Sequence, residues 1–140
     1  MTTEKTPASH VLTRAVACDW QRAYAVAADP ARLPEWASGL AKGRVLHDGS
    51  GWLAETPAGR ARLRFVPANT LGVLDHWVTP EGMDEVYMPF RVIATGFGCC
   101  ELQLTLLRQP GMDDAAFARD SAWIAADLEA LRQLLEADGR

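Results

Sequence analysis

Cysteine is scarce in this 140-residue chain: Cys18, Cys99 and Cys100 are all it has. An odd count with two neighbours adjacent makes no disulfide framework. There is no CxxC and no His/Cys cluster at zinc-ligand spacing, so no metal and no cofactor is expected. Reduced thiols fit a cytoplasmic location. Long apolar runs are missing too. None approaches the ~20 residues that span a bilayer, and "MTTEKTPASH" lacks the apolar stretch of a signal peptide. Membrane insertion is therefore not expected. Basic charge thins out along the chain. Residues 1–70 hold nine Lys/Arg against six Asp/Glu, and residues 71–140 hold five against twelve. No basic cluster with interleaved aromatics offsets this, which argues against nucleic acid as a partner. Repeats and low-complexity tracts are absent.

What remains reads as one domain, residues 1–140, with about 1–8 and 138–140 loosely ordered. "SHVLTRAVA" reads as a first strand. Asp19 caps a short helix, "WQRAYAVAA", because its carboxylate accepts free N–H groups of the first turn. Asp29-Pro30 interrupts that helix, and a second, "ARLPEWAS", stops at Gly39. Five strand-like runs follow: "AKGRVLH", "GWLAETP", "RARLRFVP", "GVLDHWVT" and "EVYMPFRVIAT". A sixth, "CCELQLTLLR", comes after "GFG". Short links between them imply antiparallel hairpins. From Asp113 to about Ala137, Phe117, Ile124, Leu128, Leu131 and Leu135 recur at helical spacing. The expected class is α+β: a curved antiparallel sheet wrapped around a long C-terminal helix, with two short helices after the first strand.

Asp75 and His76 stand side by side and suggest a catalytic pair. Successive strand residues face opposite sides, so a regular strand separates them. Pairing the hairpins from their turns sets Arg44 opposite Glu55, Glu55 opposite Arg62, and Arg62 opposite Asp75. This makes a row of alternating charge on a solvent face, each pair contributing roughly 0.2–1 kcal/mol. Arg91 falls near Asp75 on the same side as a further ion-pair partner. The inner face collects Trp52, Ala54, Thr56, Ala61, Leu63, Phe65, Leu74, His76 and Val78, then Met88, Phe90 and Val92. His76 points inward beside the small residues Thr56 and Ala61, which leaves room for a cavity.

The order of elements resembles the START-like or Bet v 1-like helix-grip proteins, specifically the bacterial polyketide cyclase/dehydrase and lipid-transport-like proteins of the SRPBCC superfamily. The resemblance rests on "DPARLPEWASGL", "GVLDHWVT", "MPFRVIATGFGCCELQLTLLRQPGM" and "FARDSAWIAADLEALRQLLE". It implies a deep, mainly apolar pocket between sheet and helix. Relatives of this kind cyclise or dehydrate polyketides, or carry lipids, hormones or sterols. No residue set here matches a defined catalytic motif of such an enzyme.

Two function classes follow, with a third beside them. The first is binding of a small hydrophobic or amphipathic molecule, with Trp36, Trp52, Thr56, Phe65, His76, Met88, Phe90, Phe117 and Ile124 as candidate contacts. The second is a polyketide cyclase/dehydratase-like enzyme with His76 as general acid/base. The third is a partner-binding or homodimerisation module without a ligand. Each candidate also has a purely structural reading. His76 can simply bond a neighbour, Trp36 can be a core anchor, and Met88 can be filler. Asp120 and Asp127, seven apart on the helix, read as a solvated edge or as paired carboxylates.

Overall fold

The computed structural model describes residues 9–37, 45–49, 51–56 and 59–138. Among the described residues, eight strands, two α-helices and a 3-10 helix follow in the order β1 (Ser9–Val16), α1 (Trp20–Ala27), the 3-10 helix (Pro30–Glu35), β2 (Val45–His47), β3 (Trp52–Thr56), β4 (Gly59–Phe65), β5 (His76–Pro80), β6 (Val86–Met88), β7 (Phe90–Gly96), β8 (Cys99–Leu107) and α2 (Asp114–Asp138). Residues 1–8 and 139–140 of the expected loose ends, the Gly39 stop and the Arg44 pairing lie outside the described residues, while residue 138 ends α2.

Local chemistry accounts for the helix starts. Asp19 accepts from the Gln21 N–H at 3.0 Å, and Asp29 accepts from Ala31 N–H at 3.0 Å ahead of Pro30. Asp113 accepts from Ala116 N–H at 2.8 Å at the head of α2. In the second half of α2, Leu128, Leu131 and Leu135 are buried in the core with Leu12, Val16 and Leu102. Polar ties fasten α2 to β1: Arg14 donates to the Ala125 carbonyl at 3.1 Å, and Ala17 N–H donates to Glu136 at 3.0 Å.

The strands form two sheets, not the single curved one expected: β1-β8-β7 and β2-β3-β4-β5-β6. Both are antiparallel. The run "EVYMPFRVIAT" divides at Pro89 into β6 and β7. Proline has no N–H to continue a ladder, so pairing changes there. The opposing segment changes too. Val73 bridges Arg91 of β7, with Leu74 N–H on Phe90 O at 2.8 Å and Val92 N–H on Gly72 O at 2.9 Å. From His76 onward the chain pairs with β4 and β6 instead.

Asp75 sits at this crossover. Its Oδ1 accepts from Phe90 N–H at 2.9 Å and Arg91 Nε at 2.9 Å. Its Oδ2 accepts from Arg91 Nη2 at 2.8 Å and the Tyr87 hydroxyl at 2.7 Å. One carboxylate thus stitches β6, β7 and the start of β5. The expected charge row does not form. Asp75 is 6% exposed, not on a solvent face. Arg62 lies opposite Thr79 and pairs with Asp48. Glu55 lies opposite Arg60.

There are two causes: the β3–β4 hairpin closes with Thr56 opposite Gly59, which sets Glu55 opposite Arg60, and the connection between β4 and β5 moves Arg62 away from Asp75. Between β4 and β5 the chain makes a compact loop of residues 66–75 in place of the short link that sets Arg62 opposite Asp75. Asn69 organises it, accepting from Leu71 N–H at 2.9 Å and Val73 N–H at 3.1 Å and donating to Val73 O at 2.9 Å. The longer loop slips the register by an even number of residues, so faces are kept while partners change. Arg60, Arg62 and Arg64 are outward and exposed, and Ala61 and Leu63 are buried.

Candidate functional site

A cavity of about 510 Å³ lies between the second sheet and the first half of α2. The sheet contributes Phe65, His76, Val78 and Met88. Phe90 and Leu104 close its inner end, and Leu33 and Trp36 come from the 3-10 helix and its end. From α2 come Ala116, Asp120, Trp123, Ile124, Asp127 and Leu128. Those spacings are three, four and seven, one face of the helix. The same helix therefore does two jobs. Its last turns pack Leu131 and Leu135 into solid core; the stretch from Ala116 to Leu128 faces the void with a mixed set that includes Asp120, Trp123, Ile124 and Asp127. Met83, 68% exposed on the β5–β6 turn, and Trp123, 46% exposed, both line the space and mark its mouth.

His76 is 6% exposed on the cavity wall. Its neighbours across the ladders are Phe65 and Met88, not Thr56 and Ala61. The ring centroid lies 5.3 Å from Phe65 and 6.3 Å from Phe90. Nδ1 is 2.9 Å from the Leu74 carbonyl. A carbonyl only accepts, so Nδ1 holds the proton of the neutral ring and Nε2 keeps the lone pair. Burial pushes the imidazole below its ordinary pKa, against the opposing pull of the Leu74 bond and the Asp75 charge. The ring is therefore neutral at physiological pH. Asp75 and His76 face apart and make no catalytic pair: the carboxylate is spent on Arg91, Tyr87 and Phe90.

The sequence-expected contacts divide. Trp36, Phe65, His76, Met88, Phe90 and Ile124 line the cavity. Trp52, Thr56 and Phe117 do not. Trp52 packs edge-on to His47, with ring centroids 4.8 Å apart. Thr56 sits at the tip of the β3–β4 hairpin, where its hydroxyl donates to Gly59 O at 2.8 Å. Phe117 lies under the Arg108 guanidinium, 5.3 Å away. Trp36 is both core and lining, tilted against Phe90 with centroids 6.2 Å apart. Trp123, Met83, Asp120 and Asp127 were not among the expected contacts. For the three on α2 the signal was present in the helix spacing, since Asp120, Trp123, Ile124 and Asp127 share one face; Met83, on the β5–β6 turn, carried none.

Among the described residues no group of three His, Cys, Asp or Glu is placed to hold a metal ion. The cysteines are free; Cys18 and Cys100 are buried and Cys99 is exposed. No described helix is long and apolar enough to cross a membrane.

No family model matches the chain, and no curated protein matches it. Solved structures do. The protein XoxI from Bacillus cereus superposes with a TM-score of 0.74 at 12% identity, over 96% of this chain and 99% of that one. A START superfamily protein from Mycobacterium smegmatis gives 0.69 at 14% identity, over 92% and 97%. DynU16, a protein of the dynemicin biosynthetic locus, gives 0.72 at 15% identity; this chain matches over 94% of its length and spans 48% of DynU16. The fold is thus START-like, an α+β fold with a long C-terminal helix.

Proposed function

We propose that this protein binds one small hydrophobic or amphipathic molecule in the space between the second sheet and α2. The observation that carries this reading is the cavity itself. At about 510 Å³ it falls within the range of ligand sites, and its wall is almost wholly apolar with a few polar groups. A void of this size is destabilising unless something is gained from it, because its lining forfeits packing contacts. Native mass spectrometry of the protein isolated from its own host, followed by gentle denaturation, tests the reading. A stoichiometric apolar species is expected. The neutral dye N-phenyl-1-naphthylamine should compete with it, and Ile124→Trp, whose larger ring intrudes on part of the cavity, should weaken dye binding while the circular dichroism spectrum stays unchanged. Dye binding unaffected by Ile124→Trp, or absent from the wild type, overturns the reading.

A second reading is supported by His76, an imidazole with one nitrogen uncommitted on a wall that also carries Asp120 and Asp127. In it the protein is a cyclase- or dehydratase-like enzyme acting on a polyketide-like substrate, with His76 moving the proton. Burial weakens this imidazole as a base and keeps it unprotonated, which favours binding over catalysis. Turnover that vanishes in His76→Ala with the fold intact would reverse that preference.

A further inference from the structure

Strand β1 has one open edge. Its register with β8 is unbroken over all eight residues, with Leu12 opposite Leu104 and Arg14 opposite Leu102. Thr105 N–H bonds the Pro89 carbonyl on the β7 side at 2.9 Å. Backbone groups alternate sides along a strand, so those of Leu102, Leu104 and Leu106 turn to β1 and meet Arg14, Leu12 and His10. The N–H and C=O groups of Val11, Thr13 and Ala15 therefore point away from β8, and no described residue bonds them. The run ends at Ala17, whose N–H is held by Glu136. The sheet's other edge is closed, because Val92 N–H bonds Gly72 O and Leu74 N–H bonds Phe90 O. The edge strands of the second sheet, β2 and β6, are three residues each. Natural sheets guard long edges with lysine, proline or a bulge; β1 has none of these. Its outward side chains, Val11, Thr13 and Ala15, are uncharged and exposed.

Helix α2 continues this surface. It runs beside β1 in the same direction, tied by His10 to Ser121, Arg14 to the Ala125 carbonyl and Ala17 to Glu136. Next to that flank Ala118, Ala122 and Ala126 stand one above another at a spacing of four, all exposed. The solvent face of a helix normally carries charge. Bare alanines leave room for a second helix to come close.

We propose that this surface pairs with a second copy of the chain, β1 against β1 across a two-fold axis at Thr13. The occupant follows from the hydrogen-bonding complement: an open edge takes an extended strand with its own groups free, and β1 is such a strand. Antiparallel pairing sets Val11 opposite Ala15 and Thr13 beside its own counterpart, with about six main-chain bonds. It also lays the alanine faces of the two α2 helices along each other on one side of the joined sheet, where larger side chains would hold them apart. β1 is ~26 Å long at ~3.3 Å per residue, and edge and helix together stand ~15 Å high. The contact is then about 400 Å² of flat footprint per copy, at the small end of specific interfaces. The dimer is therefore reversible, with a dissociation constant of about 10–100 µM. This inference does not depend on what the cavity holds.

Sedimentation velocity of the full chain from about 2 µM to about 500 µM should show a monomer–dimer equilibrium. Hydrogen exchange of the wild type over the same range reads the edge directly. The Val11, Thr13 and Ala15 amides should exchange fast when dilute and become protected when concentrated, while Leu12 and Arg14, bonded to β8, stay protected throughout. Thr13→Lys and Thr13→Glu each set like charges face to face and should weaken the dimer at least about tenfold. Mixing the two variants should restore it, because lysine then meets glutamate. Ala126→Arg should weaken it through the helix face. A monomer at every concentration overturns the proposal. So does a dimer in which the three amides stay fast, or one that tolerates both Thr13 charges. The exchange experiment needs no variant, so it decides the matter even where a substitution does not fold.

Discussion

Asp75→Asn should be the most informative single change in the scaffold. The substitution keeps the shape of the side chain but replaces one acceptor oxygen with an N–H₂ group. In the native protein the two carboxylate oxygens accept four hydrogen bonds, from Phe90 N–H, Tyr87 and both sides of the Arg91 fork. Asparagine cannot serve all four, and its amide hydrogens point at donors. Tyr87 and Arg91 are near enough to solvent to find water; Phe90, 2% exposed, is not. Burial alone would raise the Asp75 carboxyl, but the bonds from Arg91, Phe90 and Tyr87 outweigh it and bring the pKa to about 2. Set against the ordinary value of 3.8, that drop is worth about 2 kcal/mol of folding stability at neutral pH, at about 1.4 kcal/mol per pH unit. An unserved buried N–H raises the total cost of the mutation to about 2–4 kcal/mol, or about 10 °C in Tm for a domain of this size. The sign with pH follows from the depressed value. The charged carboxylate stabilises the fold fully above pH 4, and this contribution is lost as pH falls towards 2. Urea unfolding of wild type and Asp75→Asn across pH 7 to 2 checks this. The other carboxylates cancel in the difference, which should shrink between about pH 4 and 2. A difference below about 0.5 kcal/mol at pH 7, or one that does not shrink in acid, would refute the reasoning.

Other positions make sharp tests as well. Gly72 has φ +73°, and a Cβ there would lie 2.2 Å from the Val92 carbonyl oxygen. Gly72→Ala should therefore cost about 2 kcal/mol or more, seen as a lowered melting temperature. Leu131 is fully buried where α2 meets the core. Leu131→Ala should cost about 2–5 kcal/mol in urea unfolding at unchanged m-value. Burial raises the Cys100 thiol to about 11 and also raises Cys18. Titration with a disulfide reagent at pH 8 should show a single fast thiol, Cys99, and the other two only on unfolding. His76 should show a neutral-ring nitrogen spectrum at about pH 7.5, and its charging, followed as pH falls, should come below the ordinary 6.5, because burial lowers its pKa.

The helices were the most legible part of the molecule. Asp19 before the helix-forming octet "WQRAYAVA" and the Leu128–Leu131–Leu135 stripe behind Asp113 are local signals. A cap and a 3.6-residue period act within a few residues of chain, and nothing distant needs to be known. Strand faces were legible for the same reason. The alternation Arg60, Arg62, Arg64 against Ala61, Leu63, Phe65 sends one set to water whatever lies opposite. Part of the sheet side of the cavity followed from that alternation: Phe65, His76, Met88 and Phe90 fall on the inner face by parity alone.

What the sequence by itself determined, then, is the periodicity of each element and the side that each element buries. Only the tertiary structure decided which elements meet. A period of two sets parity, so an even slip in register is invisible to it, and the Asn69 loop made such a slip. Arg62 went to Asp48, and Asp75 went from an expected surface pair to a buried clamp. Pro89 broke one long run into two strands belonging to different sheets, a choice made by what Phe90 and Asp75 offered each other across 15 residues of sequence. The cavity itself is a gap between surfaces. No single segment encodes it, because the space beneath Trp36, Ile124 and His76 exists only when the 3-10 helix, α2 and β5 are held apart by the packed leucines beyond them.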